Sequence, residues 1–303
     1  MDYAESQAAF FSTRSSADPA PGSASWNTPA RHLRDAIERI ALVDLWSRQG
    51  AEARAAIGLD FLGGYVWGRG SALGSAPNPA VVASAFAVFE PGLVGALLGP
   101  AVATATWDQI QHAKLAGALG ALGATIGEPE AVPDIVQIIR RGLTAADPTG
   151  RPLYAGLSSL PWPAQPLGQL WHGVNLLREF RGDTHVAVCV AAGLDGVRMN
   201  VLTERWIGWP PRTYSATRGW SPEALADAYG RLARDGWLDG DDLTESGRAR
   251  REELEQHTDD GMGPILDAIG SDLDTVLTTC RGWSHSLVAA GVVPPDPYKA
   301  AAG

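Results

Sequence analysis

Cysteine is almost missing from this chain: Cys189 and Cys280 are the only two, far apart and without C-x-x-C spacing. A disulfide framework and a cysteine-built zinc site are thereby excluded, and two reduced, buried thiols are expected. Positive charge is also scarce. Twenty-four Lys and Arg stand against thirty-four Asp and Glu, a formal net charge of −10, the opposite of what a phosphate backbone attracts. No apolar run reaches membrane length unbroken: residues 80–105 are interrupted by Glu90, Pro91 and Pro100 and read as two buried helices. The opening MDYAESQAAFF has no basic stretch ahead of an apolar one, so no secretory signal is expected. A soluble, cytoplasmic protein is the prediction. Nucleotide and dinucleotide fingerprints, a G-x-S-x-G elbow and paired-carboxylate motifs are all lacking. No cofactor is expected.

Apolar and aromatic residues are plentiful. Hydrophobic residues make up 45% of the 303, with eleven Trp, a globular composition. Buried indoles need partners for their N–H groups, so this many predict packed interfaces or a lined pocket. The length exceeds the usual single domain of roughly 100–200 residues. Residues 1–28, rich in Ser, Pro, Ala and Gly, read as a flexible arm or swap segment. Residues 29–205 read as a helical body with a candidate pocket, and 206–303 as a winged-helix-like module with a further C-terminal helix.

Apolar periodicity predicts one amphipathic helix over 29–50 (Leu33, Ile37, Ile40, Ala41, Leu45), and a second around 57–65. Asn78-Pro79 opens a helix running to about Phe89, and Pro91 opens the next. Helices over 107–126 and 133–143 follow, then an Asp147-Pro148-Thr149-Gly150 turn. Residues 169–181 predict a helix closed by Gly182-Asp183, with a separate apolar helix over 185–202. Segment 212–259 is the most legible. A short helix ends at Arg218, Gly219-Trp220 turns, Ser221-Pro222 caps a second helix, a hairpin spans Asp239-Gly240-Asp241-Asp242, and Thr244 caps a long charged helix. The fold class expected is mainly α, with a winged helix carrying a small β-hairpin. An apolar stripe including Ile265, Ile269, Leu273 and Val276 suits either packing on the body or a homodimer contact.

In a helix-turn-helix the second helix enters the major groove. Here that helix begins with Pro222, Glu223 and Asp227, and the wing carries Asp239, Asp241 and Asp242. These would meet phosphates with like charge, so DNA is not the expected partner. Arg231, Arg234, Arg248, Arg250 and Arg251 read as a solvated face paired with Glu252, Glu253 and Glu255, or as residues tracking a phosphate backbone.

The densest polar cluster is Trp171, His172, Asn175, Arg178, Glu179, Arg181, Asp183 and His185. An Arg fork with a nearby imidazole can hold a carboxylate, sulfate or phosphate and move a proton. The same letters suit a buried ion-pair network of Arg178, Arg181 and Asp183. A metal site of His172, Asp183 and His185 lacks ligand spacing and is not expected. Tyr65, Trp67 and Arg69, flanked by glycines, form a second candidate anion site, or a plain helix C-terminus. Glu90 reads as a helix cap, and Asp108 as a first-turn acid.

The strings GGYVWGRGSALG (63–74), SAFAVFEPGLV (84–94), GRPLYAGLSSLPWP (150–163), LWHGVNLLREFRGDTHVAVCVAAGLDG (170–196) and ATRGWSPEALADAYGRLARDGWL (216–238) together resemble the SalK-like actinobacterial helix-turn-helix-like family, often associated with natural-product gene clusters. The resemblance extends over most of 35–291 and implies a helical N-terminal part joined to a winged-helix-like part. Relatives look like F-Y-N-F where this chain has Phe86-Ala87-Val88-Phe89, and carry a His in an early helix where 42–46 has none. Arg69, His172, Arg178, Arg181, Asp183 and His185 fall on matching positions.

The leading expectation is a cofactor-independent enzyme of specialised metabolism, performing a cyclisation, elimination or intramolecular substitution on a small anionic substrate. Arg69, Arg178 and Arg181 would hold the anion with Asn175, Trp171 and Tyr65. His172 or His185 would be the base, and Asp183 would orient an imidazole or Arg. The alternatives are a small-molecule-binding regulator or resistance protein, and a non-catalytic subunit of a complex with a pathway protein.

Overall fold

The computed structural model describes Glu5 and residues 27–296. The arm expected over 1–28 therefore lies outside the described residues, save Glu5 and its last two positions.

The first helix is shorter than its periodicity predicts. α1 (Pro29–Ala41) begins at the Thr28 cap and stops at Leu42, and α2 (Val43–Trp46) and α3 (Arg48–Ala56) complete the segment. Two side chains break the expected single helix. Ser47 accepts the Gly50 N–H at 3.0 Å and opens α3, while Arg54 reaches back to the carbonyls of Asp44 and Leu45 at 2.6 and 2.8 Å. Carbonyls freed at the break are thus satisfied from ten residues downstream. The predicted start of the second helix is a turn instead, with Gly58 at φ +80°. Asp60 then accepts from Gly63 N and caps α4 (Phe61–Gly70).

α5 (Pro79–Phe86) and α6 (Pro91–Thr104) start at the Asn78 and Glu90 caps, as the sequence predicts, although α5 ends early at Ala87. α7 (Trp107–Ile126) opens on a reciprocal capping box between Thr106 and Gln109. α8 (Val132–Leu143), α9 (Pro152–Ser158) and α10 (Pro166–Ala191) follow. Here the structure corrects the sequence reading: Gly182-Asp183 does not close a helix. α10 runs on to Ala191, and the break falls at Gly193, φ +78°, before the Asp195 cap of α11 (Gly196–Trp206). Asp183 accepts a hydrogen bond from Tyr154 N, and Thr184 donates to the Phe180 carbonyl. Packing on neighbours outweighs the intrinsic cost of a mid-helix glycine, about 1 kcal/mol.

The winged helix forms as read. A 3₁₀ turn (Ser215–Arg218) and Gly219 in the left-handed region lead to α12 (Pro222–Arg234). Strands β1 (Leu238–Asp239) and β2 (Asp242–Leu243) pair antiparallel around Gly240, and Thr244 caps α13 (Glu245–Gly261). α14 (Gly263–Ile269) and α15 (Leu273–Ala289) then return to the body. Ser284 donates to the Ala36 carbonyl at 2.6 Å, and Ile265 and Ile269 fill the space left by Gly142 on α8. The C-terminal apolar stripe thus packs on the body.

Three main cores result. One surrounds α10 with α1, α8 and α15; a second joins α4, α5 and α6; a third sits inside α11, α12 and the hairpin. The second and third meet at a joint read through the main chain. Asn200 and Trp220 both donate to the Val88 carbonyl, and Glu90 N donates to the Arg218 carbonyl at 2.9 Å. A Cβ on Gly196 would lie 2.0 Å from the Ala87 carbonyl oxygen, so only glycine permits this approach. Among the described residues, no single helix is long and apolar enough to cross a membrane.

Candidate functional site

Continuity of α10 sorts the sequence-predicted residues into two sets. His172 and His185 are thirteen residues apart on one helix, about 20 Å along its axis and roughly 140° around it. They cannot act on one atom.

The first half of α10 is tied into the body. Trp171 Nε1 and Asn175 Nδ2 both donate to the Ala41 carbonyl, at 3.1 and 3.0 Å, where α1 ends. His172 is buried edge-on against Trp162, ring centres 5.0 Å apart. Burial, with the nearby charges of Lys114 and Arg140, pushes its pKa down to about 4. Asp183, in the second half, is tied to the body as well: it caps the start of α9 through Tyr154 N at 2.9 Å, and burial raises its pKa to about 6 against that hydrogen bond. None of these four residues lines the large cavity.

The second half of α10 borders a cavity of about 480 Å³, to which it supplies Arg178, Arg181, Gly182 and His185. The body adds Trp46, Phe61, Tyr65, Arg69, Phe86 and Phe89, and the winged-helix side adds Met199, Trp209, Tyr214 and Arg218. The rings form a nearly continuous apolar surface: Trp46 and Phe61 centres are 5.7 Å apart, Tyr65 and Phe89 5.6 Å, and Trp209 and Tyr214 4.8 Å.

The three arginines singled out as anion holders are already neutralised. Arg69 grips Glu179 with two N–H groups at 3.1 and 2.9 Å. Arg178 donates to Glu38 at 3.0 Å and to Glu179 at 2.8 Å. Burial alone would lower both guanidinium pKa values, but the carboxylates raise them. Burial likewise opposes ionisation of Glu179, yet Arg69 and Arg178 hold its pKa near about 2. Arg181 belongs to a second network, pairing with Glu255 at 2.7 Å. Arg251 meets Glu255 at 2.8 Å, and Arg31 meets Asp259 and Glu252 at 2.7 and 2.6 Å.

His185 has a fixed tautomer. Thr258 spends its hydroxyl proton on the Leu254 carbonyl at 2.7 Å, so its oxygen accepts from His185 Nδ1 at 3.0 Å. Nε2 is then a lone pair, 3.5 Å from the Cys189 sulfur. Burial pushes the His185 pKa down to about 3, outweighing the opposite pull of Glu255, with Arg251 and Arg181 adding to the lowering. Burial also raises the Cys189 thiol to about 11. The ring is neutral at physiological pH and the thiol protonated.

Sequence reasoning missed most of the aromatic wall and two further cavity arginines, Arg39 and Arg218. The abundance of Trp pointed to a lined pocket, but the rings come from segments too distant in sequence for any local pattern to join them.

On the winged helix, Glu223 and Asp227 at the start of α12 are exposed. Arg231 is held by Asp195 and Asp227 at 2.6 and 2.9 Å. Wing residues Asp242 and Asp241 pair with Arg205 and Arg212. Arg251 and Glu255, expected on a solvated face, are buried instead, with Arg251 stacked over Trp206.

No curated protein and no solved structure matches the chain. Residues 30–294 match the sequence model of a helix-turn-helix family. That span takes in the body, the cavity and the winged helix alike, and the chain belongs to this helix-turn-helix family.

Proposed function

We propose that this protein binds a small anionic molecule in the cavity between its helical body and its winged helix, acting as a ligand-responsive or sequestering protein of natural-product metabolism. One observation carries the reading: a cavity of about 480 Å³ has walls from both the body and the winged helix. Its size lies within the roughly 300–1,000 Å³ of small-molecule sites, and its mix of many rings with few polar groups is typical of them. The natural-product setting rests on the SalK-like resemblance.

The proton inventory favours binding over catalysis. A general base works best with a pKa near the operating pH. His185 borders the cavity with a pKa of about 3, while His172 and Asp183 stand outside its wall. DNA is not the proposed partner, because Glu223, Asp227 and Asp239 are exposed where phosphates would approach.

Crystals soaked with aromatic and polycyclic carboxylic acids test the reading, with mass spectrometry of the recovered ligand. Density between Tyr65 and Tyr214, and a ligand returned unchanged, is the expected result. Density elsewhere would sink the cavity assignment, and steady turnover would restore the enzymatic one. In a gel shift at low salt, sequence-specific retention of DNA would overturn the partner assignment.

A further inference from the structure

Most of the arginines around the cavity are matched by carboxylates, and Arg39 and Arg218 are the two lining arginines without an ion pair within 4 Å among the described residues. Arg69 and Arg178 face Glu38 and Glu179. Arg31, Arg34, Arg181 and Arg251 face Asp35, Glu252, Glu255 and Asp259, four against four. Arg39 donates to the Pro295 carbonyl and sits in the field of Asp35, Asp296 and Glu38. Arg218 has no carboxylate partner among the described residues. It donates to Thr217 Oγ1 at 2.9 Å. Its guanidinium carbon lies 4.2 Å from the Tyr214 ring centre and 4.9 Å from that of Phe89. Its Nε is buried without a hydrogen-bond partner. Nη2 makes no hydrogen bond among the described residues and is not enclosed, and ring contacts, which use the face of a guanidinium, leave it available to a carboxylate.

We infer that Arg218 is the anion anchor of the cavity, and that the ligand is a monoanion: one carboxylate or sulfonate on an apolar, ring-bearing body that lies against the aromatic wall. This rests on the ligand-binding reading above and moves the anion site away from Arg69 and Arg178. The position of Arg218 gives the binding a route to the winged helix. Arg218 ends the 3₁₀ turn, its carbonyl accepts from Glu90 N, and Gly219 and the Ser221 cap of α12 follow directly. A ligand held by Arg218 is held by the turn of the helix-turn-helix.

Anilinonaphthalenesulfonate and phenylnaphthylamine, the same ring system without the sulfonate, separate the anchor from the wall. Both are titrated by fluorescence into the full chain and into its Arg218→Gln and Arg218→Lys variants. The expected result is that R218Q weakens the sulfonate at least about tenfold, R218K weakens it less, and the neutral probe binds all three proteins alike. That last arm shows the variants to be folded. Equal weakening of both probes in R218Q, or no weakening of the sulfonate, overturns Arg218 as the anchor while leaving the cavity reading intact. Failure of either probe to bind the unmodified chain overturns both.

Discussion

The two halves of α10 are built from similar letters and do different work. In the first, Trp171, His172 and Asn175 spend their polar groups on the body or bury them against it. In the second, Arg178, Arg181 and His185 are fixed by carboxylates and a hydroxyl yet still form one wall of a cavity. A histidine or arginine on a helix thus carries no role until its partners are known, and here the partners come from helices as far apart as α1 and α13.

Variants along α10 test this division. The largest effect is expected at Glu179. Glu179→Gln removes the anion shared by Arg69 and Arg178 and leaves buried positive charge, which should lower stability by on the order of 3 kcal/mol in urea unfolding. An unchanged midpoint would mean that the network is not structural.

Two glycines give the sharpest contrast. A Cβ at Gly173 would sit 3.0 Å from Ile139 and 3.3 Å from Trp162, whereas at Gly182 its nearest neighbour is Glu179 at 4.0 Å. Gly173→Ala should therefore cost about 2 kcal/mol through overpacking.

Acid sensitivity should separate the halves as well. A histidine held neutral in the fold takes up its proton more readily when unfolded. His172 therefore contributes stability at neutral pH that is lost as pH falls from about 6.5 toward about 4. Asp183, raised to about 6, works the other way: its contribution is full below about 4 and fades as pH rises through 6. His172→Phe should flatten the fall in melting temperature between pH 7 and 5, a gain on the order of 1 kcal/mol at pH 5 relative to pH 7. A parallel curve would show that His172 does not titrate with folding.

The smallest effect has the opposite sign. Gly182→Ala should stabilise the chain by about 0.5–1 kcal/mol through helix propensity, while narrowing the cavity and weakening the neutral probe. Stabilisation without any change in binding would place Gly182 outside the ligand's reach.

What the sequence revealed follows the range of the interactions. Caps at Asn78, Glu90, Ser221 and Thr244, and the order of the winged helix, depend on neighbours within a few residues and were readable. The break at Ser47 was not, because the Arg54 side chain that satisfies the Asp44 and Leu45 carbonyls comes from the far end of the next helix. Nor was the continuity of α10 through Gly182, which packing decides. The candidate-site residues were legible as a cluster. Their division was not, because Arg69 meets Glu179 from 110 residues away, and the rings that complete the cavity come from two segments more than 100 residues apart, 46–89 and 209–214.

The joint between body and winged helix has an evolutionary consequence. Asn200 and Trp220 grip the Val88 carbonyl, and Gly196 abuts that of Ala87; neither contact is made to the side chain of residue 88. Val88 itself lines the cavity. Substitutions at 88 can therefore retune which molecules the cavity accepts while the angle between the two halves stays fixed, so ligand preference and architecture are free to drift separately.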